Sequence, residues 1–206
     1  MTEYIRNANH IYQKSFAIIR SEANLANLPR DLETVAVRLI HACGMTDIVK
    51  DLQASPQAAT FGRQALAAGA PIFCDCHMVA EGVTRKRLPA NNQVICTLNH
   101  PDVVDIAQQY NTTRSAAALE LWQLQGAIIA IGNAPTALFR LLEILDEAPK
   151  PALILGFPVG FVGAAESKAA LAADSKGVPF ITLHGRRGGS ALASAAVNAL
   201  AQEEEI

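Results

Sequence analysis

Apolar residues along this chain keep two different rhythms. In the first quarter they recur every three or four positions, as Tyr12, Phe16, Ile19 and Ala23, and again as Leu32, Val35, Leu39 and Ile40. That spacing puts each set on one side of a helix, one over residues 9–22 and a second opened by Pro29-Arg30-Asp31 and stopped at Gly44. After a short helix over 61–68, the rhythm changes. Apolar residues now come in brief unbroken runs at 71–74, 94–98, 127–131, 152–155 and 179–183. Unbroken runs of this length read as strands buried on both faces, as in a parallel sheet. Helical stretches alternate with them at 101–110, at 116–125 as one long helix opened by Thr113-Arg114-Ser115, at 137–143, at 164–168 and at 190–201. The predicted fold is a single three-layer α/β/α domain over 1–206, with a mostly parallel central sheet of about five strands.

Two of the strand-to-helix passages repeat one design. Ile131 leads into Gly132-Asn133-Ala134-Pro135-Thr136, and Leu155 into Gly156-Phe157-Pro158-Val159-Gly160-Phe161-Val162-Gly163, both without a charged residue. In open α/β sheets ligands bind at the carboxyl ends of the strands, so these loops mark the expected site. Their spacing is not that of a nucleotide enzyme. The second loop's glycines run G-x3-G-x2-G, not G-x-G-x-x-G; no ribose-binding acid follows the strand that ends at Leu183-His184, and no G-x4-G-K-[ST] occurs. Val159, Gly160 and Phe161 suit the apolar face of a broad ligand, although simple loop packing accounts for the same residues.

Composition narrows the setting. At 206 residues and 21.9 kDa the chain can bury roughly 70% of its unfolded surface without a disulfide or a metal. A net charge of −2 leaves no basic field for nucleic acid. Arg, Asp or Pro interrupts each long apolar stretch before it could span a bilayer, and Met1-Thr2-Glu3-Tyr4 is not followed by a signal-peptide core. A soluble, cytoplasmic protein is expected, with Glu203-Glu204-Glu205 as a frayed helix end. Cys43, Cys74, Cys76 and Cys96 lack secretory spacing. Cys74-Asp75-Cys76-His77 has no partner pair at metal-site spacing, so no protein-borne metal is expected and the cysteines read as small buried residues. Asp75, at the end of a strand, is either a cap for the next turn or part of the site.

Cationic chemistry must then be local. Arg85 with Arg87, Arg114, and Arg186 with Arg187 lie in loops or at helix starts near strand ends. Singly each reads as a solvated surface residue; together with helix-start amides at Thr113 and Ala164 they form a set for several carboxylates on one ligand. His41 falls in the last turn before Gly44, where a helix dipole favours the imidazolium. It is either a C-terminal cap or a general acid working near neutral pH. Ser15 lies off the buried stripe of its helix and carries no nucleophile motif.

Seven segments in order carry a resemblance: residues 15–20, Arg38-Leu39-Ile40-His41-Ala42-Cys43-Gly44, Cys74-Asp75-Cys76-His77-Met78-Val79, Thr112-Thr113-Arg114-Ser115, 132–137, 156–167 and 185–190. The chain resembles the precorrin-8X methylmutases of cobalamin biosynthesis, including the cobalt-precorrin-8 enzymes. The resemblance implies an isomerase that moves a methyl group from C-11 to C-12 of a corrin ring, giving hydrogenobyrinate or cobyrinate. It makes His41 the group that protonates the macrocycle, with Ser15 and Arg114 holding the substrate or the histidine. Arg85, Thr113, Asn133, Thr136, Val159, Gly160 and Phe161 complete the expected substrate-binding set. No cofactor is implied, any cobalt arriving inside the substrate, and the resemblance implies a homodimer with pockets near the interface. At Asn99-His100-Pro101 the chain departs from the family's usual acid before proline. A noncatalytic corrinoid carrier with the same pocket is the alternative of another class.

Overall fold

Strands that are apolar on both sides have to be sandwiched, and the computed structural model, which describes residues 4–202, shows how. The expected strands form β2 (Ile72–Cys74), β3 (Val94–Ile95), β4 (Ile128–Ile131), β5 (Leu153–Gly156) and β6 (Phe180–Leu183), mutually parallel. All but β3 are buried along their whole length. Ile72, Cys74, Ile128, Ala130, Leu153 and Leu155 point to one side of the sheet, and Phe73, Ile129, Ile131, Ile154 and Phe180 to the other. Complete burial of such a side chain contributes roughly 1.5–3 kcal/mol, so these two-faced runs are what hold the sheet.

The first side is covered by α2 (Glu33–Cys43), α3 (Ala58–Ala67), α4 (His77–Gly82) and α9 (Ser190–Ala201), with α1 (Ala8–Glu22) laid against α2. The second carries α7 (Pro135–Ile144), α8 (Ala164–Ala173) and residues 119–124. Between β3 and β4 stand α5 (Val103–Gln109) and the single turn α6 (Arg114–Ala117), which pack on each other. The three-layer expectation is thus met, and Glu203-Glu204-Glu205 lies outside the described residues. No helix among those residues is long and apolar enough to cross a membrane.

Two expectations are corrected. Among the described residues the sheet has six strands, in the order β1-β6-β5-β4-β2-β3, because Leu52–Ala54 adds β1 antiparallel to β6. A half-buried edge of three residues leaves no periodic trace in the sequence. The long helix over 116–125 is not formed either. After α6 the chain tightens into a 3-10 turn at Ala118–Leu121 and then extends at Trp122. Continued helix would carry Leu124 away from the face shared by Leu119 and Trp122, whereas the broken path buries all three in one core. Trp122 stacks on Phe73 with ring centres 5.5 Å apart, and its indole N–H donates to Thr97 Oγ1 at 2.8 Å.

Candidate active site

Helix α2 stops where its sequence says it must. Gly44 takes a left-handed φ of 70°, and its N–H donates to the Ile40 carbonyl at 2.7 Å, which leaves His41 in the last turn. Phe16 and Ile19 are the buried residues of α1 and turn that helix onto α2. Ser15, beside Phe16, is thereby brought to His41, its Oγ lying 2.8 Å from Nδ1. The rings of Tyr12 and Phe16 flank the imidazole, 5.4 and 5.3 Å away by ring centres. With Nδ1 occupied by the serine, Nε2 is the nitrogen left for a ligand.

The expected bias of His41 toward the imidazolium is corrected. Partial burial pushes its pKa below the ordinary imidazole value, and the positive charge of Arg38, one turn earlier, adds to the shift.

His41 lines two clefts at once. One, of about 380 Å³, is bordered by Ile11, Lys14, Ser15, Ile18 and Ile40. The other, of about 390 Å³, is bordered by Tyr12, Arg38, Met78, Ser190 and Asn198. A larger hollow of about 730 Å³ lies beside Pro71 and Pro149, at the amino ends of β2 and β5, and His41 does not line it.

From Ser190 the site continues along the carboxyl ends of the parallel strands. Ser190 Oγ is 3.3 Å from Cys76 Sγ, and a Cβ on Gly132 would stand 2.8 Å from the Ser190 Cα, so only glycine lets the β4 loop approach α9. Asp75 organises that loop. Its carboxylate accepts from the backbone N–H groups of Gly132, Asn133 and Ala134 at 2.9, 2.9 and 2.7 Å. Burial pushes the Asp75 pKa up while the three donors pull it down. Asp75 is therefore a support reaching across to the neighbouring strand end, where the sequence left open a cap or a site residue. The β5 loop divides by burial: Phe157 is fully buried and packs, whereas Val159 and Phe161 are exposed. Gly160 donates its N–H to the Arg186 carbonyl, and the Arg186 guanidinium sits over the Phe161 ring, 5.2 Å from its centre.

The other expected residues fall into separate groups. Thr113 and Thr136, the latter in the first turn of α7, meet with their hydroxyls 2.8 Å apart, and Asn133 is exposed on the loop just before that helix. Arg114 is held by the Leu98 carbonyl and the Asn99 side chain. Arg85 is drawn to Glu81 and the Ala80 carbonyl and lines neither His41 cleft. Arg187 is committed to the fold: it pairs with Asp47 at 2.8 Å and Asp51 at 2.5 Å, while buried Lys168 donates to its carbonyl at 2.5 Å. Among the described residues no group of three or more His, Cys, Asp or Glu side chains is placed to hold a metal.

The family model described as precorrin-8X methylmutase matches residues 10–203, nearly the whole chain. The chain belongs to the precorrin-8X methylmutase family. The precorrin-8X methylmutase of Pseudomonas aeruginosa is 67% identical over the full length of both chains. That of a Sinorhizobium species is 58% identical over 97% of each. The crystal structure of the precorrin-8x methyl mutase from Thermus thermophilus superposes with a TM-score of 0.85 at 39% identity, covering 94% of this chain and 95% of that one. Methylmutases are isomerases that transfer a methyl group within one molecule, and this family member is an enzyme of that class in cobalamin biosynthesis.

For a methylmutase the geometry adds residues that the sequence did not single out. Arg38 could have been found, since it precedes His41 by three positions on one helix face. Tyr12 was readable only as part of the buried stripe of α1, yet it is 40% exposed and borders the second cleft. Met78, 75% exposed on the first turn of α4, and Ser190 carry no local signal; the crossing of the chain at the strand ends brings them to His41.

Proposed function

We propose that this enzyme moves a methyl group from C-11 to C-12 of precorrin-8X, giving hydrogenobyrinate, with His41 as the general acid. The observation that carries the reading is the Ser15–His41 contact of 2.8 Å on the wall between two clefts. An intramolecular shift needs a proton donor and a fixed geometry, not a nucleophile. Ser15 sets the rotation of the imidazole, and Nε2 is the atom that would carry the proton to the macrocycle. No cofactor takes part in this reading. A corrinoid is an apolar disc edged by carboxylate arms. Val159, Gly160, Phe161 and Met78 suit its face, and Arg114, Thr113, Thr136 and Asn133 its edge, with Arg85 further out. A metal-free substrate is supported by the precorrin-8X name of both relatives described above.

We also infer a homodimer in the cytoplasm. The four cysteines are all free, and Ile11 and Ile18, two turns apart on α1, are 45% and 44% exposed where they border the first cleft. A second copy covering this side would enclose that cleft.

Purified His41→Ala is expected to bind the corrinoid and to lose turnover by roughly 10²–10⁴-fold. Undiminished conversion of precorrin-8X by that variant would falsify the role of His41. Turnover by the native enzyme beyond one equivalent per site separates it from a corrinoid carrier.

A further inference from the structure

Asn99 joins two side chains that come from the starts of different helices, His77 of α4 and Arg114 of α6. Arg114 Nη2 donates to the Asn99 side-chain oxygen at 2.9 Å and to the Leu98 carbonyl at 3.0 Å. An arginine only donates, so the atom it meets on Asn99 is the oxygen, and the amide nitrogen is the atom 3.0 Å from His77 Nε2. That nitrogen only donates as well. Nε2 therefore accepts, the ring proton stands on Nδ1, and His77 offers an N–H on the side away from Asn99. Arg114 is left in a similar state. With Nη2 engaged by Asn99 and Leu98, the guanidinium keeps Nε and Nη1 as donors, and all three side chains are exposed.

The placement connects these donors to the acid. His77 opens α4, and the next residue, Met78, borders the cleft that His41 borders. Arg114 opens α6, directly after Thr113, whose hydroxyl meets Thr136. The group His77, Asn99 and Arg114 therefore stands next to the cleft through the His77–Met78 step of α4, outside the residues that line it. One fixed positive charge with an added N–H matches one carboxylate, and charge-assisted bonds of this kind are the strong ones.

We propose that His77 and Arg114 together bind a single carboxylate arm of the corrinoid substrate, and that Asn99 is the positioning residue that aims both. The inference rests on the methylmutase reading of the His41 cleft. It gives the exposed His77 a binding role and assigns Asn99 the task of fixing its tautomer.

The test is a titration of native protein, His77→Ala and Asn99→Ala with hydrogenobyrinate and with its fully esterified form, followed by the absorption of the chromophore. The preference for the free acid over the ester is expected to shrink roughly tenfold in each variant. Asn99→Asp adds a second measurement. Its carboxylate still accepts from Arg114 but has no proton for Nε2, so nitrogen NMR is expected to show the His77 proton moved from Nδ1 to Nε2. A preference for the acid that is unchanged in His77→Ala, or a native His77 already carrying its proton on Nε2, overturns the proposal and leaves the methylmutase reading standing. Native protein that binds neither ligand overturns both.

Discussion

At His41 the same contacts that place the ring also decide when it holds a proton. Partial burial, beside the rings of Tyr12 and Phe16, and the charge of Arg38 lower its pKa, so in the free enzyme the imidazolium gives way to the neutral ring at lower pH than for an ordinary histidine. A general acid works when protonated. The kcat/KM profile, which reports the free enzyme, is therefore expected to be high in acid and to fall as pH rises through a midpoint below 6.5. Carboxylates of a bound corrinoid oppose the field of Arg38, so the kcat limb should lie at higher pH than the kcat/KM limb. Arg38→Gln should move the kcat/KM limb upward. A rate that increases with pH, or limbs that coincide, would count against the assignment. The position of His41 was legible from Gly44 and the apolar spacing of α2. The sign of its shift was not, because the rings that desolvate it belong to another helix, and no spacing rule says which face of α1 meets α2.

Elements were most legible where burial is two-sided. β4, β5 and β6 announced themselves as unbroken apolar runs, and each lies within the expected span or one residue beyond it. β1 and the broken stretch after α6 were hidden because tertiary partners, Leu183 for one and Phe73 with Thr97 for the other, decide their shape. The β4 loop is a case between. Its glycine and proline marked it as a ligand loop, but its rigidity comes from Asp75 on the neighbouring strand end. Asp75→Ala would leave three N–H donors without their acceptor, two of those bonds buried. We expect a loss of about 3 kcal/mol in urea unfolding, with Asp75→Asn in between because its oxygen can still accept. Equal stability of Asp75→Ala and the native protein would show that the loop holds itself.

For the whole molecule, three layers around a parallel sheet followed directly from the alternation of strand and helix. The site did not, since it is assembled from α1, α2, α4, α9 and the strand-end loops, segments that are far apart in the sequence. The outer side of α1 raises a question of assembly. Sedimentation equilibrium is expected to give twice the 21.9 kDa of one chain, and Ile11→Glu with Ile18→Glu is expected to give a folded single chain. A native protein that sediments as one chain at micromolar concentration would rule out the dimer.

The strand that the sequence concealed governs the order in which the enzyme can be completed. Among the described residues β1 pairs with β6 alone, Leu52 opposite Leu183, and α2 lies chiefly against α9. The first quarter of the chain is therefore seated by its last, across a loop whose closure cannot precede synthesis of both ends. Until Ser190–Ala201 has been synthesised, α2 lacks the helix against which it chiefly packs. A chain that stops short has the glycine loops after β4 and β5 but lacks the helix that seats α2, and with it His41, the acid proposed above.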